Sequence, residues 1–272
     1  MKATLAEILE NQNIGGTLFW LTVKEPRGAR EALPGQFAHI LCGEPFSQKD
    51  GPGWRRAFSI SQVDREKGTL SFLYRPEGRG SRWLSRRKPG ETLDLLAPLG
   101  KPFPLDLPPQ HRPVMVAGGT GLAPFLFLSR ELSLKGETPL LFIGMASHKE
   151  LAVMGLALEA GAQVMVATDD GSQGYYGTVV DLARETLLRE EKGDGRTPFL
   201  YACGPTAMMA AMASFAREKG WPLYVSLETN MACGTGLCLT CTVPGPRGPH
   251  FYRRACVEGP VFPAEEVDWN EL

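Results

Sequence analysis

The sequence predicts a β plus α/β protein: an antiparallel barrel, then a parallel sheet covered by helices, then a short cysteine-bearing segment. Three observations carry this. The first hundred residues read as short strands separated by Gly/Pro turns. From residue 114 onward, short apolar strands without polar alternation alternate with helical stretches, the mark of a parallel sheet buried on both faces. Between them lies Leu105-Asp106-Leu107-Pro108-Pro109-Gln110-His111-Arg112-Pro113, whose prolines lack amide donors and disfavour both helix and central strand. The expected units are residues 1–108, 109–227 and 228–272.

In the first unit, strands are expected over 17–23, 37–42, 57–61, 69–74 and 92–96. In the second they are expected over 114–117, 140–143, 164–167, 199–202 and 223–227, with helices from about Leu122, Leu151 and Val179 and over 206–219. Nucleotides bind such sheets at the carboxyl ends of the strands.

Composition narrows the possible partners. Lys plus Arg (29) nearly balance Asp plus Glu (30), so there is no electrostatic reason to expect nucleic acid or an acidic membrane surface as partner. No apolar stretch approaches a membrane span, and Met1-Lys2-Ala3-Thr4-Leu5 does not open a signal peptide, so a cytoplasmic location is expected. The six cysteines are too few for a disulfide framework, and four of them fall in the last 40 residues.

Those four, Cys233, Cys238, Cys241 and Cys256, follow C-x4-C-x2-C-x14-C. A C-x4-C-x2-C run with a distant fourth cysteine is the plant-type [2Fe-2S] spacing. Gly234 and Gly236 allow the positive backbone angles with which a loop curls tightly and turns its amides toward cluster sulfurs. A structural zinc site also uses four thiolates, but zinc ribbons usually carry two C-x2-C knuckles, and here there is one. Cys42 reads as a small buried hydrophobe.

A cluster handles single electrons and a nicotinamide handles pairs, so a flavin is needed between them. Arg56-Ala57-Phe58-Ser59 sets a guanidinium, an aromatic ring and a hydroxyl on one expected strand, and Tyr74 ends another, which suits a flavin and its phosphate. Gly78-Arg79-Gly80-Ser81 precedes a short helix through Trp83 and Leu84, where free amides can take a pyrophosphate. Each motif alone is also compatible with an ordinary strand or turn.

Ala117-Gly118-Gly119-Thr120-Gly121-Leu122-Ala123-Pro124 closes the first strand of the second unit and opens its helix, placing Gly119, Thr120 and Gly121 where a phosphate can approach the backbone. A tight strand-to-helix turn needs the same glycines. Cys203-Gly204-Pro205 ends a strand at the same sheet edge. There Cys203 is the candidate catalytic residue, a soft side chain against a nicotinamide ring, and Gly204 the open backbone beside it; a buried cysteine before a turn reads the same way.

In this order, R-x-F-S, G-x-G-S, G-G-x-G-x-A-P, C-G-P and the cysteine run resemble the ferredoxin-NADP reductase superfamily. Within it, the chain resembles the electron-transfer subunits of class 1B dihydroorotate dehydrogenase, because only about 45 residues follow Leu227 and a separate ferredoxin domain does not fit. Ala57 stands where the family often has proline, and Thr120 where it often has glycine. The resemblance implies FAD on Arg56, Phe58, Ser59, Gly80 and Ser81, and NAD at Gly119, Gly121, Cys203 and Gly204. It also implies a hetero-oligomer with an FMN-containing catalytic subunit of dihydroorotate dehydrogenase, serving pyrimidine biosynthesis. The alternatives are a reductase subunit of a sulfide dehydrogenase or hydrogenase type of complex, and a zinc-stabilised nucleotide sensor.

Overall fold

A computed structural model describes residues 3–43, 53–190, 195–246 and 251–272. The first unit is a seven-stranded antiparallel sheet curled into a barrel. Its elements are β1 (Thr4–Gly15), β2 (Leu18–Lys24), α1 (Pro26–Glu31), β3 (Phe37–Cys42), β4 (Trp54–Ser59), β5 (Gln62–Asp64), β6 (Thr69–Tyr74), α2 (Arg79–Leu84) and β7 (Thr92–Leu99), with strand order β4-β3-β7-β1-β2-β6-β5. Alternation sends Ala6, Ile8, Leu21, Val23, Ala38, Ile40, Leu93 and Leu95 into the barrel core, where Cys42 is also fully buried.

Two differences from the sequence expectation have physical causes. The twelve-residue β1 was not expected, because Glu7, Glu10, Asn11, Gln12 and Asn13 have low strand propensity; its pairing with both β2 and β7 supplies what propensity lacks. The strand expected over 57–61 instead spans Trp54–Ser59, because pairing with β3 sets its ends.

The second unit runs β8 (His111–Gly118), α3 (Ala123–Leu134), β9 (Leu140–Met145), α4 (Met154–Glu159), β10 (Gln163–Thr168), β11 (Tyr175–Tyr176), α5 (Val179–Glu190), β12 (Thr197–Cys203), α6 (Thr206–Lys219) and β13 (Leu223–Ser226). The helices expected from Leu122 and Leu151 begin later, since tight 3-10 turns occupy Gly119–Leu122 and His148–Val153. Strand order β11-β10-β9-β8-β12-β13, with one further strand from the C-terminal segment beyond β13, places β8 beside β12, so the chain turns away in opposite directions from their carboxyl ends. The Gly119 turn and Cys203-Gly204-Pro205 meet at this switch point.

This sheet is not wholly parallel. Its last strand, β16 (Val261–Pro263), comes from the C-terminal segment and runs antiparallel to β13. The segment also forms a small ladder of β14 (Thr242–Pro244) with β15 (Tyr252–Arg254). It is therefore built into the body of the protein: Cys241, Val243, Ala255, Cys256 and Phe262 share one core with Val225 and Leu227 of the nucleotide unit and with Phe37 and Leu99 of the barrel. Helix α3 ties the other side, with Phe127 in the barrel core and Glu131 paired to Arg65 at 2.7 Å. Among the described residues, no helix is long and apolar enough to cross a membrane.

Candidate functional site

A cavity of about 790 Å³ opens where the three units meet. Its barrel wall is β4, with Arg56, Ala57, Phe58 and Ser59, and the end of β6, with Tyr74 and Arg75. Phe58 meets Tyr74 edge-on at 5.7 Å, and the Tyr74 hydroxyl donates to Asn11 Oδ1 at 2.9 Å. Asn11 in turn donates to the carbonyls of Leu84 and Arg87, so β1 fixes the end of α2 against this wall. Burial raises the Tyr74 phenol well above its ordinary value, keeping it a neutral donor.

Gly80 and Ser81 sit in α2 behind that wall. A Cβ on Gly80 would lie 3.3 Å from Arg56 Cγ, so glycine here lets the helix pack against the Arg56 stem. The Ser81 hydroxyl accepts from the Gly78 amide at 3.1 Å and donates to its carbonyl, holding the helix start closed on itself.

The cavity also carries groups that the motifs did not single out. Arg75, Arg79 and Glu77 line it, as do Glu228 and Thr229 after β13. Arg75 bridges to Glu150 of the nucleotide unit at 2.8 Å, while its Nε, like Thr229 Oγ1, is buried without a hydrogen-bond partner. Three guanidinium groups and two orphaned polar atoms around one cavity suit a ligand with phosphates and ring acceptors. Arg75 directly follows a recognisable strand and Arg79 lies inside G-R-G-S, so both were within reach of the sequence; Glu228 and Thr229 carry no local signal. Glu228 opens onto the cavity yet has protein on most sides, and that burial, reinforced by Glu77, raises its carboxyl above the ordinary range.

At the nucleotide edge, Thr120 and Ala123 face the cavity. Gly119 is in the left-handed region at φ +56° with open space where a Cβ would stand. Gly121 serves packing: a Cβ there would be 2.1 Å from the Cys203 carbonyl oxygen. Gly204, at φ +151°, is also a packing position, since a Cβ there would be 2.9 Å from the Gly118 amide nitrogen. Cys203 is buried behind this edge, not on the cavity wall, and burial, reinforced by Glu228, keeps its thiol protonated.

The cysteine loop curls through three left-handed residues, Gly234 (φ +69°), Gly236 (φ +82°) and Leu239 (φ +59°). Curling turns its backbone amides onto the sulfurs: Thr235 donates to Cys233 Sγ at 3.4 Å, and the Cys238, Thr240 and Gly236 amides serve Cys233, Cys238 and Cys256. Desolvation opposes ionisation of Cys233, but the Thr235 and Cys238 donors outweigh it and bring the thiol down to about 5. Cys256 goes the other way, pushed up to about 12 by burial and by its neighbour Cys241.

Among the described residues, no three His, Cys, Asp or Glu side chains are gathered as a single-ion site. The four thiols instead form two pairs, Cys233 with Cys238 and Cys241 with Cys256, with Cys233 in electrostatic reach of Cys256. Two pairs suit a two-iron cluster, which takes two thiolates per iron, better than one tetrahedral zinc. Arg254 braces the loop from below, donating to the Gly236 carbonyl at 3.1 Å while paired to Glu258 at 3.1 Å.

One more residue touches this loop. His39 on β3 is fully buried, and its ring lies against Gly234. Burial, with Arg55 and Arg56 nearby, lowers its imidazole to about 4, so it is neutral at neutral pH.

Comparison with known proteins places the chain in a family. Residues 228–268 match the family described as the iron-sulfur cluster binding domain of dihydroorotate dehydrogenase B, and residues 115–214 match the oxidoreductase NAD-binding domain. The electron transfer subunit of dihydroorotate dehydrogenase B (NAD(+)) from Desulforamulus reducens is 37% identical over 266 residues, covering 97% of this chain and 98% of that one. Its counterpart from Geobacillus thermodenitrificans is 35% identical, covering 96% of each. Among solved structures, the NADH-dependent reduced ferredoxin-NADP oxidoreductase studied for flavin-based electron bifurcation superposes with a TM-score of 0.84 at 32% identity, covering 99% of this chain and 91% of that one. The chain belongs to the family of dihydroorotate dehydrogenase B electron transfer subunits.

Proposed function

We propose that this chain carries electrons between a partner flavoprotein that oxidises dihydroorotate and NAD, in the cytoplasm, with FAD and a [2Fe-2S] cluster as its own redox groups. The observation that carries the reading is the shared cavity: Arg56, Phe58 and Ser59 of the barrel, Thr120 of the nucleotide unit, and Met231, Ala232 and Thr240 of the cysteine segment line one space. The units are taken as residues 1–108 for FAD, 109–227 for the nucleotide and 228–272 for the cluster.

When bound, a flavin exchanges electron pairs with a nicotinamide and single electrons with a cluster. The residues have distinct tasks around that chemistry. Arg56, Arg75 and Arg79 supply positive forks for the FAD phosphates, with the first amides of α2, around Gly80 and Ser81, as further donors. Phe58 and Tyr74 give a rigid aromatic wall, and Ser59 a hydroxyl beside it. Thr120, with the open backbone at Gly119, admits the nucleotide. Gly121 and Gly204 hold the turn against β12, with Cys203 as a neutral, soft group behind it. Cys233, Cys238, Cys241 and Cys256 hold the irons, and the loop amides tune the cluster through its sulfurs.

The test is reconstitution. The purified chain should oxidise NADH with artificial acceptors but leave dihydroorotate untouched, and dihydroorotate-dependent NAD reduction should appear on mixing with an FMN-containing barrel subunit. Turnover of dihydroorotate by the chain alone contradicts the reading. The 32% identity to the ferredoxin-NADP oxidoreductase favours a second reading, a reductase subunit of another redox complex. Failure of every dihydroorotate-oxidising partner to restore turnover, with NADH oxidation intact, would favour it.

A further inference from the structure

β3 has two faces with different duties. Ala38 and Ile40 point into the barrel core, so Phe37 and His39 point out, toward the cysteine segment. His39 is completely buried on that outer face, and neither ring nitrogen meets full hydrogen-bond geometry, a costly state for a polar side chain. What the ring faces is specific: the backbone of Met231 and Cys233, with Nδ1 only 2.5 Å from where a Cβ on Gly234 would stand. Glycine at 234 is thus required twice, by its positive φ and by the imidazole beneath it.

The other neighbours of His39 belong to the flavin side. It pairs with Ala57 on β4, inside the R-x-F-S run, and Ala57 lines the same cavity as Met231 and Ala232. Arg55 donates to the His39 carbonyl at 3.0 Å and pairs with Asp94 at 2.9 Å, which fixes the backbone at this point. One side chain therefore lies between the strand that forms the flavin wall and the loop that carries the cluster thiols.

We propose that His39 is a positioning residue for electron transfer, its imidazole holding residues 231–234 in register with the flavin wall. This rests on the functional reading above. Small errors in the placement of redox groups are expensive, and partners one layer out from metal ligands typically change activity about 10- to 100-fold when removed.

Asn and Leu share one branched outline, but only Asn keeps a polar group near the Nδ1 position, so His39→Leu and His39→Asn separate shape from the polar contact with the loop backbone. Full-length protein is mixed anaerobically with NADH while flavin and cluster bleaching are followed separately, with FAD, iron and the electron paramagnetic resonance spectrum of the reduced cluster measured on the same samples. His39→Leu should keep wild-type flavin bleaching, slow cluster bleaching about 10- to 100-fold and alter the cluster spectrum; His39→Asn should restore most of the rate and the spectrum. A leucine variant with wild-type cluster bleaching and spectrum overturns the proposal, as does an asparagine variant no better than the leucine one. Should the leucine variant lose its iron, the asparagine variant decides against wild type: near-wild-type transfer upholds the role, and slow transfer overturns it. Wild-type protein without FAD and iron would instead overturn the functional reading itself.

Discussion

The two cysteine pairs occupy opposite environments. Cys241 and Cys256 are 2% and 3% exposed, sunk in the core that joins barrel, nucleotide sheet and C-terminal segment. Cys233 and Cys238 ride on the glycine loop, with Cys238 exposed and Leu237 beside it 85% exposed. The thiols differ accordingly, since amide donors lower the outer pair while burial raises Cys256. The lesson is that one side of the proposed cluster site is anchored by the fold and the other is presented to solvent, the arrangement that the proposed one-electron conduit between a fixed flavin and a docking partner requires.

The largest effect should come from removing the conduit. Cys238→Ser should abolish dihydroorotate-dependent NAD reduction in the reconstituted complex while NADH oxidation with artificial acceptors persists in the isolated chain; retention of the coupled activity would break the comparison. Cys256→Ser should also lose the cluster, but it puts a hydroxyl into the core and should cost the iron-free protein about 1–3 kcal/mol, whereas Cys238→Ser should change its stability by less than about 0.5 kcal/mol. Urea unfolding of the two iron-free variants makes the measurement, and equal costs would show that the two pairs are not differently anchored.

The same contrast extends to the apolar residues beside each pair. Phe262, 1% exposed in the joining core, should cost about 3–5 kcal/mol on truncation to Ala, and Leu237→Ala should cost less than about 0.5 kcal/mol. At the flavin end, Arg56→Ala should weaken FAD binding by about 1.5–3 kcal/mol. Arg56→Lys should recover only part of this, since lysine restores charge without the planar fork. Fluorescence titration of apoprotein with FAD reads the effect, and wild-type affinity in the alanine variant would remove Arg56 from the site.

What the sequence made legible follows the same division. The cysteine loop is a local object whose spacing and glycines are adjacent in the chain, so its chemistry could be read directly. The sheets were legible wherever apolar runs marked buried strands, as over Val114 to Ala117. β1 was not, because its stability comes from two neighbouring strands and not from Glu10, Asn11 or Gln12 themselves. The short strands β14, β15 and β16 were equally silent, each being three residues long and formed by tertiary pairing. Glu228, Thr229 and His39 acquire meaning only where the three units converge. The glycines of the Gly119 turn were recognised, but sequence could not divide their duties: Gly121 is fixed by the carbonyl of Cys203, while Gly119 stands open.

Metal and sulfide analysis of anaerobically purified protein tests the central claim most directly. A [2Fe-2S] cluster on Cys233, Cys238, Cys241 and Cys256 predicts about two irons and about two acid-labile sulfides per chain, with visible absorption from cluster and flavin together. Stoichiometric zinc, with neither iron nor sulfide, would contradict it.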